Sequence, residues 1–178
     1  MRRKSTTSEM MKSYIIEALL ILMSEREFQS ITVEEIVTKA GVNRSTYYRH
    51  FNGKDDVIFY FLDSVMREYI EKAQLQKLDL KSYLQNMFHH YLKYKKQMLI
   101  IYHAGLSAIL LSVLEKYFHS QIDTYKSLEE QYKVSFYIGG IFNHFLMWFS
   151  RDMKESPEEM TEYALFVLPA NFVPYLIK

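Results

Sequence analysis

The chain has 178 residues, 49% of them hydrophobic and 24% charged, with a formal net charge of +1. That length suits one compact domain or a small domain joined to a larger one, and the apolar fraction excludes a disordered chain. Near-neutrality excludes a uniformly basic nucleic-acid coat but leaves room for a local basic face, and the lack of cysteine excludes disulfides and thiolate metal sites and suits a reducing compartment.

At the N-terminus, MRRK ahead of YIIEALLILM has the outline of a signal peptide. Glu17 interrupts that run, and SEREF stands where small cleavage-site residues belong. Ile15, Leu19, Leu22 and Met23 recur instead at helical spacing and predict a first helix over about 8–28. MRRKSTT before it reads as a disordered arm of the kind that can add phosphate contacts. No segment reaches the roughly 18 uninterrupted apolar residues of a membrane span, so no membrane partner is expected and the cytoplasm is the expected compartment.

Thr32 opens a short second helix, with Glu35 placed to complete a capping box and Gly41 to close it in the left-handed conformation. Asn43 is an N-cap for a third helix of about two turns ending near His50. FNGKDD turns the chain, and Asp55 and Asp56 suit the first turn of a long fourth helix reaching about Gln76. Beyond LDL, helices are predicted over about 80–96, 98–125 with a break near Gly105, 128–153, and 157–168, where Pro157 fits the first turn. Pro169 and Pro174 prevent a regular helix in the tail. No period-two strand pattern and no internal repeat occurs, so the fold is expected to be all-α.

Two short helices joined by a turn of three or four residues containing glycine form a helix-turn-helix signature. Ile36, Val37, Ala40 and Val42 make an inward set, and Tyr47 with Phe51 is an i, i+4 pair facing the same way. Arg44 with Tyr48, and Ser45 with Arg49, then occupy other faces of the third helix. A two-turn helix exposing those side chains has the size and chemistry for a DNA major groove. Residues 1–53 carry eight Lys/Arg against six Asp/Glu, and the remainder 14 against 15, so the positive charge is local.

The stretch ITVEEIVTKAGVNRSTYYRHFNGKDDV resembles the DNA-binding segment of TetR-family transcriptional regulators. The matching positions are Thr32, the turn Ala40-Gly41-Val42, Thr46, Tyr48, His50, Phe51 and Lys54. The resemblance covers about 8–65 and implies an N-terminal three-helix DNA-binding domain, 1–53, fused to a helical ligand-binding and dimerisation domain, 54–178. It also implies a homodimer reading a palindromic operator in double-stranded DNA, in the role of a repressor released by a small hydrophobic or aromatic effector. Carried over by position, Arg44, Ser45 and Tyr48 face the groove, Thr46 meets a base edge or phosphate, and Thr32, His50 and Lys54 meet phosphate. Arg49 is a further exposed basic candidate. Tyr47 stands where the family usually packs an aliphatic side chain, and reads as core.

In the larger part, SFYIGGIFNHFLMWF resembles the dimerising helix of some family members. Gly139-Gly140 inside it costs helix stability, about 1 kcal/mol per glycine, which points to a close helix approach at or beside a subunit interface. Ile138, Ile141, Phe145, Leu146, Trp148 and Phe149 make that helix apolar nearly all round, so two of its faces need cover. Tyr60, Tyr83, Met87, Tyr91, Tyr94, Tyr102, Tyr117, Phe118 and Tyr125 read mostly as core. His90, His103, Asn143 and His144 are the polar candidates for an effector pocket. The adjacent His89-His90 rings point about 100° apart on a helix and no HxxxH or HExxH spacing exists, so no metal is expected. No cofactor is expected either, and no phosphate loop or nucleophile motif suggests an enzyme. A competing reading is a TetR-like co-activator or adaptor that signals through a protein partner without an effector; a sizeable closed pocket with convergent polar groups would favour the ligand-responsive reading, and a filled core the adaptor.

Overall fold

The computed structural model describes residues 2–76, 78–119 and 127–168, among which there is no strand. The order is α1 (Arg2–Glu25), a 3-10 turn (Phe28–Ser30), α2 (Val33–Ala40), α3 (Arg44–His50), α4 (Lys54–Gln74), α5 (Leu80–Leu92), α6 (Lys95–His103), α7 (Ser107–His119), α8 (Leu128–Ser150) and α9 (Pro157–Val167). The chain divides into two compact units, Met1–Phe61 and Leu62–Lys178, and α4 contributes residues to both. Tyr125, Pro169, Pro174 and the side chain of Phe118 lie outside the described residues, as do Met1 and the side chains of residues 2–6.

In the first unit α1 packs on α2 and α3. Its helix starts at Arg2, well before the expected position near 8, because no glycine or proline stops it there. It also ends earlier than expected, and Phe28 is buried from the 3-10 turn that follows. Ile15, Leu19, Ile36, Tyr47, Val57 and Ile58 are fully buried, and each such aliphatic or aromatic side chain contributes about 1.5–3 kcal/mol. The inward set read from α2 is buried at Ile36 and Val37, and half-buried at Ala40 and Val42.

In the second unit α5 packs on α9, while α6 and α7 pack on α8. Phe88, Tyr91, Phe145, Trp148 and Phe149 form its aromatic centre, with Tyr91 and Phe145 ring centroids 4.7 Å apart. The α5–α6 break falls at Lys93–Tyr94, earlier than expected and without glycine or proline. Tyr94 leaves helical geometry at φ −102°, ψ 18°, its hydroxyl donating to Glu68 at 2.6 Å, and the next residue, Lys95, donates to the Met153 carbonyl at 2.9 Å. Those distant bonds have no local sequence signature. Gly105, at φ +73°, makes the expected break between α6 and α7. Past α8, Asp152 and Met153 both take positive φ, and the Met153 amide closes onto the Trp148 carbonyl at 2.8 Å while its side chain is buried.

Among the described residues of this unit Asp63 is a buried charge. Asp63 accepts from Lys116 at 2.6 Å and pairs with Arg67 at 3.5 Å, so its carboxylate is matched where desolvation would otherwise penalise it. Among the described residues no neighbour outside the helix's own backbone comes within 4 Å of a Cβ placed at Gly139 or Gly140, so the close approach expected there is absent among them within one copy. Among the described residues no single helix is long and apolar enough to cross a membrane, and no cluster of metal-ligating side chains forms.

Candidate nucleic-acid interface

The helix-turn-helix is built by three local devices. First, Glu35 N–H donates to the Thr32 hydroxyl oxygen at 3.3 Å while the Thr32 amide donates back to the Glu35 carboxylate at 2.9 Å, which is the reciprocal capping box. The Thr32 hydroxyl donates to the same carboxylate at 2.7 Å and Arg26 pairs with it at 2.8 Å. The Thr32 amide, then its hydroxyl, then Arg26 hold the Glu35 carboxyl down to about 2. Second, Gly41 sits at φ +65°, ψ 31°, a conformation that costs an L side chain but not glycine, and Val42 N–H closes onto the Val37 carbonyl at 3.0 Å. Third, the Asn43 side-chain oxygen accepts from the Thr46 amide at 2.8 Å and from the Ser45 hydroxyl at 2.7 Å, starting α3.

The result sorts α3 by face. Tyr47 is fully buried and Thr46 nearly so, whereas Arg44, Ser45, Tyr48 and Arg49 are exposed. Tyr48 keeps more than half its surface in solvent and packs edge-on to Tyr47 at 5.3 Å. Arg49 donates to the Thr46 hydroxyl oxygen at 3.1 Å. Arg44 lies 3.7 Å from Glu34, a residue the sequence reading leaves out because no local spacing links positions 34 and 44. Both members of that pair are well exposed, so it is worth at most about 1 kcal/mol and a stronger anion can displace it. His50 is half-buried, and burial followed by the Arg49 charge lowers its pKa.

The structure therefore gathers Arg44, Ser45, Tyr48 and Arg49 on one short exposed helix, with Thr46 beneath them and Thr32 engaged as a cap. Lys54 is placed differently from the others: its ammonium donates to the carbonyls of Phe28 at 2.7 Å, Ile31 at 2.6 Å and Gln29 at 3.3 Å.

The four polar pocket candidates of the second unit are dispersed. His90 is buried, with its Nε2 2.9 Å from the Val65 carbonyl, and burial lowers its pKa. His103 is exposed, 3.9 Å from Asp152, and Asn143 is exposed and donates back to the Gly139 carbonyl at 2.9 Å. His144 lines a cavity, with Nε2 3.2 Å from the Met160 carbonyl and a pKa lowered by burial. That cavity, about 230 Å³, lies among α5, α8 and α9 and is floored by Leu84, Met87, Phe88, Ile141 and Phe145, with Gly140 at its edge. Beside it Leu128, Tyr132, Phe136 and Met147 of α8 and Tyr163, Phe166 and Val167 of α9 are exposed, Phe136 by 77% and Phe166 by 90%. An exposed apolar set of that extent on two adjacent helices is unusual for a monomer.

Comparison with known proteins agrees with these features. Residues 15–60 match the family of bacterial regulatory proteins of the tetR type, and residues 78–168 match a family described as a transcriptional regulator C-terminal region. An uncharacterized HTH-type transcriptional regulator, YwcC, of Bacillus subtilis (strain 168) is 33% identical over 72 residues, 40% of this chain, and the match spans 29% of that protein's length. The same fold occurs in a TetR transcriptional regulator from Streptococcus agalactiae 2603V, with a TM-score of 0.63 at 18% identity over 92% of this chain and 96% of that one. It occurs also in the fatty acid degradation regulator FadR from Bacillus halodurans, with a TM-score of 0.57 at 17% identity over 86% and 92% of the two chains.

Proposed function

The chain belongs to the tetR family of transcriptional regulators, and from that membership, which implies DNA binding and dimerisation, we propose that it represses transcription as a homodimer on a palindromic operator and is released by a small apolar effector. The observation that carries the DNA-binding part is the sorting of α3: Tyr47 turned fully inward, and Arg44, Ser45, Tyr48 and Arg49 turned outward, behind a glycine turn. In this reading Arg44, Ser45 and Tyr48 meet base edges, because the N-terminal residues of a recognition helix enter the groove first. Thr46, Arg49, His50 and the backbone around Thr32 serve the phosphates. The exposed apolar faces of α8 and α9 take the second copy, which sets the two recognition helices one helical turn of DNA, roughly 34 Å, or a multiple apart.

The effector reading is supported by the cavity beside His144, whose apolar walls and single imidazole suit an apolar or aromatic molecule with one hydrogen-bonding group. Such a molecule acts only if it binds the DNA-competent and DNA-incompetent states with different affinity. Because α4 belongs to both units, a shift in α4 is the relay we propose. The competing adaptor reading is favoured by the small size of this cavity, about 230 Å³ against the roughly 300 Å³ of ordinary ligand sites, whereas the neighbouring cavity of about 400 Å³ that His144 shares with Arg151, Glu155 and Tyr163 favours an effector.

Footprinting the purified protein on the DNA upstream of its own gene tests the first part; two protected half-sites related by a dyad are expected, and no protected palindrome anywhere in the neighbourhood would remove it. Gly140→Leu tests the second. A Cβ at position 140 meets no described neighbour within 4 Å, and the rest of the leucine extends over the cavity that Gly140 lines, so an effector-responsive repressor that stays dimeric should keep its operator and lose its response. A response unchanged in that variant would shift the weight to the adaptor.

A further inference from the structure

We propose that Lys54 is a positioning residue that staples the entrance of the helix-turn-helix to its exit, and that its ammonium stays on protein carbonyls when DNA is bound. An ammonium has three protons. Here three carbonyls surround it, those of Phe28, Gln29 and Ile31, at 2.7, 3.3 and 2.6 Å, and it lies over the Phe28 ring, 4.7 Å from the centroid. A phosphate oxygen would find no unengaged proton to accept.

The location gives the bonds their consequence. Phe28 and Gln29 belong to the 3-10 turn after α1, and Ile31 immediately precedes Thr32, the cap of α2. Lys54 is the first residue of α4, four residues past the end of α3. The bond from Lys54 to Ile31 therefore closes a ring of chain that contains both α2 and α3. Asn52 adds a second closure at the exit, its amide and side chain both donating to the Asp56 carboxylate at 2.9 and 2.7 Å. A lysine at the first position of a helix is electrostatically misplaced, because the N-terminal end of the macrodipole is positive. The carbonyls at the end of the 3-10 turn supply the negative partner that a surface lysine there would lack. The cations left to face DNA on α3 are then Arg44 and Arg49.

The inference rests on the proposed DNA binding, and the experiment separates the two. In the full-length wild-type protein, the 15N-labelled Lys54 ammonium signal should be visible through slow exchange with water, and should keep its position when an operator fragment is added at saturation. Lys54→Met keeps the stem and removes the protons; compared with wild type at a temperature where both are folded, it should lose about tenfold or more of operator affinity through misplacement of α2 and α3. The slope of log affinity against log salt should stay at the wild-type value. A phosphate contact predicts instead a slope lower by about 0.9 per half-site, and that result, or a Lys54 signal that moves on adding operator or exchanges too fast to be seen, overturns the proposal. A variant that melts earlier but binds operator normally while folded also overturns it, since that is stabilisation without positioning. If Lys54→Met does not fold, the wild-type ammonium signal still decides. Failure of the wild-type protein to bind any DNA would refute the repressor reading, and the signal in the free protein would then decide the carbonyl cage by itself.

Discussion

Residues 1–61 turn arginine, serine and tyrosine outward from a seven-residue helix, whereas residues 62–168 turn outward leucine, phenylalanine, methionine and valine from two long ones. Both are helical and both bury a well-packed centre, so packing does not distinguish them. What distinguishes them is the chemistry left in solvent. A polar helix of two turns held rigidly by caps and a glycine turn is complementary to a charged, hydrogen-bonding groove. An apolar stripe on α8 and α9 is complementary to another apolar surface and costs solubility until it is covered. In an all-α chain the class of partner follows from the exposed residues and not from the core.

A charge placed on the apolar side should have the largest effect. Phe136→Glu alters a side chain 77% exposed in the single copy, so folding should be untouched. If α8 and α9 meet a second copy, the charge falls in a desolvated contact and should cost about 2–4 kcal/mol of dimer stability. Sedimentation should then show monomer at micromolar concentration, with operator affinity falling along with it. A variant that stays dimeric would mean that the exposed stripe is not the interface.

On the polar side the corresponding change is smaller. Arg44→Ala removes a guanidinium able to pair bidentately with guanine and should cost about 1–3 kcal/mol, with relaxed preference at one operator position in each half-site. Affinity measured against a panel of mutated half-sites reads this directly. A uniform loss across the panel would instead assign Arg44 to phosphate.

A feature is legible in the sequence to the extent that its cause is local. The capping box of Thr32 with Glu35, the glycine turn at Gly41, the cap at Asn43 and the inward facing of Tyr47 all arise within four residues, and each is present as read. The break at Tyr94 and the three carbonyls around Lys54 depend on residues 23 to 58 positions away, and no periodicity encodes them. The dispersal of His90, His103, Asn143 and His144 has the same origin. A sequence shows which residues could line a pocket, but which of them share one is decided by helix packing. Gly139 and Gly140 were legible as an anomaly in a strong helix, while the open space beside them is visible only in three dimensions.

The capping box gives a pH-dependent test of the rigid polar side. The folded-state value of Glu35, about 2, lies below its ordinary value of 4.5. A depressed carboxyl contributes stability that is fully present above about pH 4.5 and is lost as pH falls toward 2. Acid unfolding curves of wild type and Glu35→Gln should therefore differ at neutral pH and converge across that window. Thr32→Ala, which removes the cap itself, should cost about 1 kcal/mol in urea denaturation. Curves separated equally at pH 2 and pH 7 would show that the carboxylate charge plays no part.

The smallest effect concerns the one buried side of α3. The Tyr47 ring is fully buried against Tyr48 and Phe51, at 5.3 and 6.0 Å, yet its hydroxyl has no hydrogen-bond partner among the described residues. Burial, followed by the nearby Tyr48, Asp56 and Asp55, pushes its pKa up to about 12, so the group is neutral at any working pH. An unpaired hydroxyl in an apolar site carries a desolvation cost with no compensating bond. Tyr47→Phe keeps the ring contacts and removes only the oxygen, so the first unit should gain about 0.5–1 kcal/mol, read as a shift of the urea midpoint. Operator affinity should not change, because the hydroxyl faces away from the exposed row of Arg44, Tyr48 and Arg49. A loss of stability would mean that an ordered water pairs the hydroxyl. Lost affinity at unchanged stability would put Tyr47 in the DNA interface and erase the division of α3 into an inward and an outward face, on which the contrast between the two units depends.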